Sequence, residues 1–578
     1  MGYAVIEQFA AGVDRTRPIY TLPPGSLWVG KNVHLSRGGD VEQRKAFVTK
    51  FTLPAGTFGF HVIGDVKYVW GSTADPGVPA GVTYQRLAHP DGAARTMTDV
   101  LSHDAFNGKM YVVAEFDDGS IHHYYDGAHV TDWDNGIVRS AMTNNDGIAT
   151  HLAAVVNLLG GGIYTATAAG AVVTVTKTTG NFLTDAGVST SVENVTGGTD
   201  DQTLTRAYTH AAASATFTVG GTFEVGDRFT IVLDTLLFGA EAMPGAKATV
   251  VKTHKRKVYA AAGNILHFSG LDSAVNWNRD EDAGAGFISF SDELGGAETI
   301  VSLAKYQNSL ALMARSAIQL WTMQNDDALN APTQNLEYTG SLAQESALQY
   351  GGIDTFYLSD TGIRSLRARD VTNTAAVSDV GTPIDTLIAE HMEDLTDEQI
   401  AAATTIVEPK DGRFMLALGE RIYVFSYFPA KKISAWSWYE LGFEVEHFGV
   451  SGRQLFARSG NTIYLYGGDS GAQYDAVDVD VWLPFMSVKK HGTYKQLKGL
   501  DIAAKGTWNI KVYVNPDMDV DDPTDYVDVG DLTGFTFSKE NTGALGHVTH
   551  MSVRLTRSAA SAASLSMVGV FYDGADTE

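Results

Sequence analysis

The chain has 578 residues, and its 42 Lys and Arg against 67 Asp and Glu give a formal charge of −25 at pH 7. It contains no cysteine, which excludes disulfides, thiolate zinc sites, iron–sulfur clusters and cysteine nucleophiles. The acidic balance argues against a surface that binds nucleic acid by neutralising its phosphates. Only 19% of the residues are charged and 60 are glycine, a composition that suits an all-β chain with many tight turns.

Residues 1–100 are predicted to form an extended N-terminal segment that docks on a partner ring, the adaptor named below, and then enters the β-propeller described below. The first 18 residues lack the basic region and the apolar stretch of a signal peptide. No apolar run approaches the roughly 18 residues needed to span a bilayer. We therefore expect a protein that is made in a cytoplasm and does not insert into a membrane.

A short stretch of this segment matches the start of a phosphate-binding loop. Gly25-Ser-Leu-Trp-Val-Gly30-Lys31 supplies the glycines and the lysine of that motif. Asn32 follows, where the motif requires a Ser or Thr that binds magnesium, and no strand-loop-helix pattern surrounds it. We interpret the stretch as a turn that follows Pro23 and Pro24.

Six segments share one pattern, in which an apolar run, a short Gly, Asn or Asp turn and a second apolar run follow one another. The first is Asn107–Gly127, and the others begin at residues 255, 306, 350, 411 and 451, at intervals of 40 to 61 residues. Such units at a period of about 40 to 50 residues are typical of a β-propeller. We predict the first blade at 101–150 and the remaining blades at 250–490. A set of unrelated hairpins is the alternative.

A composition change and a second group of strands predict two further units. Residues 155–247 are rich in Ala, Gly, Thr and Val and are predicted to form a small β domain inserted between the first two blades. Residues 491–578 contain further strands and are predicted to form a C-terminal β-sandwich-like region. The only convincing helix is predicted near Ile384–Met392, with Thr396 capping a second around 397–403.

Four polar side chains of the first predicted blade could suggest a zinc site. His122, His123, Asp126 and His129 lie within eight residues of one another. Because consecutive residues of a strand point to opposite faces, His122 and His123 cannot share one metal ion without a bulge. We interpret these residues as ordinary members of a blade.

Two other motifs resemble catalytic or metal-binding loops. Gly468-Asp469-Ser470-Gly471 copies the surroundings of a serine protease nucleophile, but no His lies in a recognisable partner motif, and an inter-blade turn fits equally well. Four acidic residues take positions 1, 3, 5 and 12 of a calcium loop, with Asp522 in place of the required Gly and Pro523 after it. A solvated acidic loop is the preferred interpretation, and an irregular calcium site stays open. The four residues are Asp517, Asp519, Asp521 and Asp528.

The segment Phe9–Val48 carries several motifs close together. They are Gly12-Val13-Asp14-Arg15, Pro24-Gly25-Ser26-Leu27-Trp28, Asn32 with His34, Arg37-Gly38-Gly39-Asp40-Val41-Glu42, and Arg44-Lys45-Ala46-Phe47. Together they resemble the N-terminal signature of the tail nozzle proteins of short-tailed bacteriophages, also called tail tubular protein B or packaged-DNA stabilisation proteins. A second similarity to the propeller of this family lies in Asp411–Phe414, Tyr423–Tyr427 and Ala435–Tyr439.

The resemblance implies a structural virion protein with no catalytic residues, cofactor or metal. In this family a hexameric ring docks beneath the adaptor and forms the distal tail tube, which retains the genome and then conducts it during ejection. The chain's partners would be its own copies, the adaptor and, in some particles, tail fibres or spikes. DNA would pass through the acidic lumen without specific binding. Arg37, Arg44 and Lys45 form a basic cluster in this acidic chain, and we expect them at a subunit or adaptor contact, with a solvated face as the alternative.

A propeller can also carry carbohydrate chemistry or recognition, which gives a second hypothesis. A glycoside hydrolase needs two carboxylates that flank one bond, and no sequence marker selects such a pair here. A receptor-binding tail module needs no such pair. The alternative is therefore a carbohydrate-active hydrolase or a receptor-binding module built on the same fold.

Overall fold

Seven sheets in the described part of the chain form a closed β-propeller. The first strand of each sheet contacts the first strands of both neighbouring sheets, so that these strands surround a common axis. This architecture confirms the all-β propeller prediction. The computed structural model describes residues 2–90, 94–133, 144–159, 162–182, 187–193, 201–209, 212–222, 227–234, 236–241, 248–277, 284–290, 298–326, 329–352, 354–367, 379–487, 494–521, 523–533, 538–540 and 547–574.

Each blade is a small sheet whose successive strands run outward from the axis. Blade 1 contains Phe58–Ile63, Val66–Gly71 and Thr83–Arg86; blade 2 contains Met97–Phe106, Lys109–Phe116, Ile121–Tyr125 and Ala128–His129. Blade 3 contains Val250–His254, Lys257–Ala262, Ile265–Phe268 and Gly286–Ser289; blade 4 contains Ser302–Tyr306, Ser309–Met313, Ala317–Thr322 and Ala331–Glu337. Blade 5 contains Leu348–Tyr350, Asp354–Ser359 and Gly362–Ser365; blade 6 contains Thr404–Val407, Phe414–Leu418, Arg421–Phe428 and Ile433–Glu440.

Blade 7 closes the ring with strands from two distant parts of the chain. Its inner strands are His447–Ser451, Gln454–Ser459 and Thr462–Tyr466, and its outermost strand is Phe47–Thr52, which pairs antiparallel with Thr462–Tyr466. The chain then continues directly into blade 1. Apolar clusters between neighbouring blades form the propeller core, for example Leu266, Leu310 and Leu312 between blades 3 and 4.

The prediction that the first blade spans 101–150 is wrong, because strands Phe58–Ile63 and Val66–Gly71 already form a blade before it. That blade is hard to recognise in the sequence for two reasons. Its inner strand has a register shift between Phe58 and His61, and its third strand, Thr83–Arg86, pairs parallel instead of completing a meander.

An inserted unit separates blades 2 and 3. Helix Asn145–Leu159 packs against two small sheets, and its apolar face, including Ile148, Leu152 and Val155, is fully or almost fully buried. This helix was not predicted, although the spacing of those three residues is helical. One sheet contains Tyr164–Ala169, Val172–Lys177, Ser214–Gly220 and Thr203–Tyr208, and the other contains Val188–Glu193, Arg228–Leu233 and Leu236–Glu241.

The two predicted helices are present between blades 5 and 6. They span Asp385–Glu393 and Asp397–Ala401, and Thr396 caps the second through a reciprocal capping box with Gln399. Short 3₁₀ turns occupy Thr131–Trp133, Gln344–Ser346, Thr382–Ile384 and Pro429–Lys431. Within the described ranges, no helix combines the length and apolar character that crossing a membrane requires.

The C-terminal strands form two sheets that enclose a common core containing Leu500, Ile510, Leu555 and Val568. One sheet consists of Lys495–Lys505, Ser538–Glu540, His547–Val548 and Ser564–Gly574 with the N-terminal strands Gly2–Ile6, Val33–Leu35 and Val41–Gln43. The other consists of Asp478–Trp482, Thr507–Tyr513, Tyr526–Thr533 and Ser552–Ser558, and it continues through Val29–Lys31 into blade 6. Two further short strands, Gly12–Val13 and Ser26–Leu27, pair with each other beside blade 6.

The N-terminal segment is therefore not an extended arm as predicted for residues 1–100. Its strands are integrated into the C-terminal sheets, into the extension of blade 6 and into blade 7. We call residues 12–48 the N-terminal seam, because they join the propeller to the C-terminal sheets. The side chains of Val33, Leu35 and Val41 are fully buried here, and their burial favours this position over an extended arm in water.

Candidate functional site

Arg44, one of the three predicted contact residues, lies inside the N-terminal seam with 2% of its side chain exposed. Its Nε donates to Asn32 Oδ1 at 3.0 Å, and its Nη2 donates to the carbonyl of Glu440 at 3.3 Å. Its Nη1 donates to the carbonyl of Lys45 at 3.0 Å and pairs with Asp475 at 3.1 Å. The prediction that Arg44 contacts another chain is therefore wrong, because its guanidinium is enclosed by the seam, blade 6 and the turn after blade 7.

Arg37 and Lys45 both lie beside the turn at Lys410 and Asp411 in blade 6. Arg37 is 66% exposed, and its Nε lies 3.3 Å from Asp411 Oδ1. Lys45 is half-buried and donates to the carbonyl of Gly471 at 2.5 Å. Burial, together with the nearby charge of Lys410, lowers the pKa of Lys45. These two side chains remain candidates for a contact with another chain.

A groove of about 680 Å³ lies between the seam, blade 6 and the two helices. Lys31 bridges its acidic walls, with Nζ at 2.6 Å from Glu440 and 3.3 Å from Asp478. Burial opposes the charge on Lys31, but these two carboxylates outweigh burial and raise its pKa. Lys31, the last residue of the loop-like stretch, is therefore paired with carboxylates in this structure. Acidic groups outnumber basic ones in this groove, which is lined by Asp394, Glu420, Glu440, Glu444, Asp475 and Asp478 against Lys31, Arg44 and Arg421.

His34 also has a structural environment within the seam. Its Nδ1 lies 2.8 Å from the hydroxyl of Tyr439, and its Nε2 lies 3.5 Å from Glu42. Burial, followed by the charge of Arg413, lowers its pKa to about 4. The imidazole is therefore neutral at pH 7 and links the seam to blade 6.

The other motifs from the sequence occupy turns and blade strands. Ser470 lies in the turn after Thr462–Tyr466, and its Oγ accepts a hydrogen bond from the amide of Ala472 at 3.2 Å. His123 stacks on Trp133 with ring centroids 4.1 Å apart, whereas the ring of His122 contacts His89 at 4.7 Å. The described residues contain no group of three His, Asp or Glu side chains arranged to bind a metal ion.

The acidic loop near the C-terminus is held by its own amides. Asp519 Oδ1 accepts from the amide of Asp521 at 2.9 Å, and Asn515 Oδ1 accepts from the amide of Asp517 at 3.0 Å. Asp522 lies outside the described residues. Asp528 lies on strand Tyr526–Thr533, where its Oδ1 accepts from the amide of Gly530 at 2.8 Å.

Three histidines that the sequence did not single out meet at the propeller axis. His61, His103 and His447 lie on the first strands of blades 1, 2 and 7. The ring of His103 has its centroid 5.0 Å from that of His61 and 5.4 Å from that of His447. His447 follows His103 by 344 positions and His61 by 386, so no spacing signal connects the three side chains.

Charged groups of the next two blades adjoin these histidines. Asp104 Oδ2 accepts from the amide and the hydroxyl of Thr253 at 2.8 and 2.9 Å, which joins blade 2 to blade 3. Burial opposes ionisation of Asp104, but Lys252, these hydrogen bonds and Lys305 overcome it and lower its pKa. Burial likewise opposes the charge on Lys252, and Asp104 and Glu345 raise its pKa. The axis therefore combines neutral imidazoles with a balanced set of ionised groups.

Comparison with known proteins returns likenesses to solved structures only; no family model and no curated protein matches the chain. The WD40 domain of Neurospora crassa Pan2 matches at 10% identity over 43% of this chain and 73% of that chain, with a TM-score of 0.24. The AfRom2 CNH domain matches at 11% over 46% and 85%, with a TM-score of 0.25. Myxococcus xanthus glutaminyl cyclase matches at 10% over 38% and 89%, with a TM-score of 0.21. These values carry no argument about function, and the propeller assignment rests on the strand pairing of the chain itself.

Proposed function

We propose that this chain is a structural virion protein that forms the distal tail tube, or nozzle, of a short-tailed bacteriophage. The observation that carries the proposal is the run of motifs in Phe9–Val48 that resembles the N-terminal signature of that family. In the proposed role the protein retains the packaged genome and then conducts it during ejection. It assembles in the host cytoplasm and resides in the tail of the virion.

The positions of the motif residues support an architectural role. Asn32 donates from Nδ2 to the carbonyl of Asp478 at 2.8 Å, and Arg44 and His34 bind blade 6. Gly12 adopts φ +62° against the backbone of Trp436. Each of these residues joins distant parts of the fold, as expected of a protein whose function is mechanical assembly.

The charge supports passage of DNA rather than its capture. A formal charge of −25 in each subunit makes any lumen built from this chain repel the DNA backbone, unless basic side chains are concentrated there. A ring of six subunits docked beneath the portal and adaptor rings is the assembly that the resemblance implies. Fibres or spikes are further partners on the outside of such a tube.

The deciding experiment locates the chain in whole particles. Virions from cells infected with a phage that carries this gene are purified and labelled with an antibody against the inserted unit, then imaged by electron microscopy. We expect label at the distal end of the tail, and we expect gene deletion to give filled heads that lose their DNA. Absence of the chain from purified particles would refute the proposal, and so would hydrolysis of a polysaccharide by the purified chain.

The contact role of the exposed basic residues is tested in the same system. The double variant R37E/K45E is expected to reduce ring or adaptor assembly, because it reverses the positive charge that is predicted to lie at the contact. The matched control is K109E on blade 2, where Lys109 is 52% exposed and pairs with Asp126. Normal assembly of the double variant would remove Arg37 and Lys45 from the contact.

A further inference from the structure

We propose that the three axial histidines, His61, His103 and His447, form an acid-sensitive latch that holds blade 7 to blades 1 and 2 and releases it when they are protonated. This inference depends on the propeller geometry and not on the proposed function. It would supply a chemical trigger for a conformational change in whatever assembly contains the chain.

The first step of the argument is the contact among the rings. His103 lies between the other two, with ring centroids at 5.0 Å to His61 and 5.4 Å to His447, and Trp70 covers it at 5.2 Å. Its Nδ1 is buried and has no hydrogen-bond partner among the described residues. A positive charge on this buried ring would therefore be poorly solvated and would face two further imidazoles.

The second step is the position of the trio at the point where the ring closes. Blade 7 is joined to blade 1 by residues 53–57 of the chain and by side-chain contacts that include a buried apolar cluster of Phe60, Phe456 and Ile463, so their separation exposes that cluster but breaks no blade. The guanidinium of Arg458 donates to the carbonyls of Thr57 and Gly59, and Ser451 Oγ donates to Asp65 at 2.8 Å. No strand ladder crosses this junction in the described residues, so the junction can separate while both sheets persist.

The third step is the charge balance at the axis. Among the groups that face the trio, Lys252 and Lys305 are balanced by Asp104 and Glu345, and Arg458 lies 3.8 Å from Glu446. With neutral histidines, these six described groups carry no net formal charge. Three added protons would leave three uncompensated positive charges in a confined space, and separation of the blades would hydrate them.

The magnitude follows from the histidine environments. Burial, with the neighbouring His103 next in effect, lowers the pKa of His61 to about 4, and burial lowers the pKa of His103 to about 4. Burial also lowers the pKa of His447 well below its ordinary value. If the opened state restores an ordinary pKa near 6.5, the shift from pH 7.5 to pH 5 favours opening by about 30-fold for each of His61 and His103.

The test measures hydrogen exchange by mass spectrometry at pH 7.5 and pH 5, corrected for the intrinsic pH dependence of exchange. In the wild-type chain we expect strands Phe58–Ile63 and His447–Ser451 to lose protection at pH 5 while Ser309–Met313 of blade 4 keeps it. The triple variant H61Q/H103Q/H447Q is expected to abolish this selective loss. H391Q is the matched control, because His391 is buried away from the axis and its pKa is also lowered, to about 4.

A second variant decides the matter if the triple variant does not fold. The chain has no native cysteine, so D65C/S451C can be cross-linked with a short bismaleimide across the junction. The cross-link is expected to restore protection at pH 5 in a chain that keeps its histidines. Equal loss of protection in blade 4 and at the junction would overturn the latch, as would acid-induced loss that persists in the triple variant or with the cross-link in place.

Discussion

Replacing Arg44 gives the most direct test of how the N-terminal seam holds the two parts of the fold together. R44A removes a guanidinium that reaches Asn32, the carbonyls of Lys45 and Glu440, and the carboxylate of Asp475. Asn32 Oδ1 keeps a partner, since it also accepts from the amide of Glu440 at 2.9 Å. The two carbonyls lose their donor in a site from which water is largely excluded.

The expected loss can be estimated from these contacts. Removing one member of a buried, hydrogen-bonded charge pair costs about 3–5 kcal/mol. The low end applies to Asp475, because 39% of its side chain is exposed and its charge stays hydrated after the change. We therefore expect R44A to destabilise the seam by about 3 kcal/mol, which is about a 150-fold increase in local opening. D475N leaves the buried guanidinium of Arg44 without its counter-charge but with its other hydrogen-bond partners, so it should cost about 1–3 kcal/mol.

The assay must be local, since a chain with several cooperative units does not unfold in two states. Hydrogen exchange of strands Val29–Lys31 and Ile433–Glu440 reports opening of the seam, and blade 4 strand Ser309–Met313 serves as an internal reference. R44K is the conservative variant, and it should lose less protection than R44A because it keeps the charge but not the forked geometry. Unchanged protection of the seam strands in R44A would refute the reasoning, as would a loss in R44K as large as that in R44A.

Three further changes test the packing and the pH response of the fold. G12A should lower the free energy of unfolding by more than about 3 kcal/mol, because Gly12 has φ +62° and a Cβ there would lie 2.6 Å from the backbone of Trp436. The control G56A changes a glycine at φ +78° that faces open space, and it should cost only about 1 kcal/mol. Thermal unfolding measures both. L152A should lower the stability of the inserted unit by about 2–5 kcal/mol in calorimetry, because the side chain of Leu152 is fully buried. The pKa of His34 is lowered to about 4, so folding opposes its protonation and the free energy of unfolding falls as the pH drops from about 6.5 to 4. H34Q should remove up to about 3 kcal/mol of this acid sensitivity. Urea titrations at several pH values measure the effect.

The propeller could be predicted because hairpins such as Asn107–Gly127 repeat in the sequence, and repetition survives divergence of individual residues. Blade 1 was missed because its strands Phe58–Ile63 and Thr83–Arg86 depart from the antiparallel pattern. Strand Phe47–Thr52 could not be assigned to blade 7, since its partner Thr462–Tyr466 lies about 400 residues away. Local pattern reveals blades, whereas closure of the ring depends on contacts that leave no local signal.

The sequence identifies Arg37, Arg44 and Lys45 as a basic cluster, but it does not indicate how deeply each side chain is buried. Arg44 and Lys45 are adjacent basic residues, yet one is enclosed and the other half-buried, because the strand that precedes them fixes opposite orientations. The axial histidines gave no signal at all, since His61 and His447 come together only when blade 7 meets blade 1. Sites formed by ring closure require the three-dimensional structure.

The position of the seam gives a physical reason for recognisable motifs to be concentrated in Phe9–Val48. A blade strand has to fit its neighbours within one sheet and one apolar layer on each side. The seam has to fit blade 6, both C-terminal sheets and the turn after blade 7 at the same time, as Asn32 does by binding Asp478, Glu440 and Arg44. A substitution there disturbs several partners, and their losses are coupled rather than independent. We therefore expect such a segment to accept fewer changes than a blade strand does.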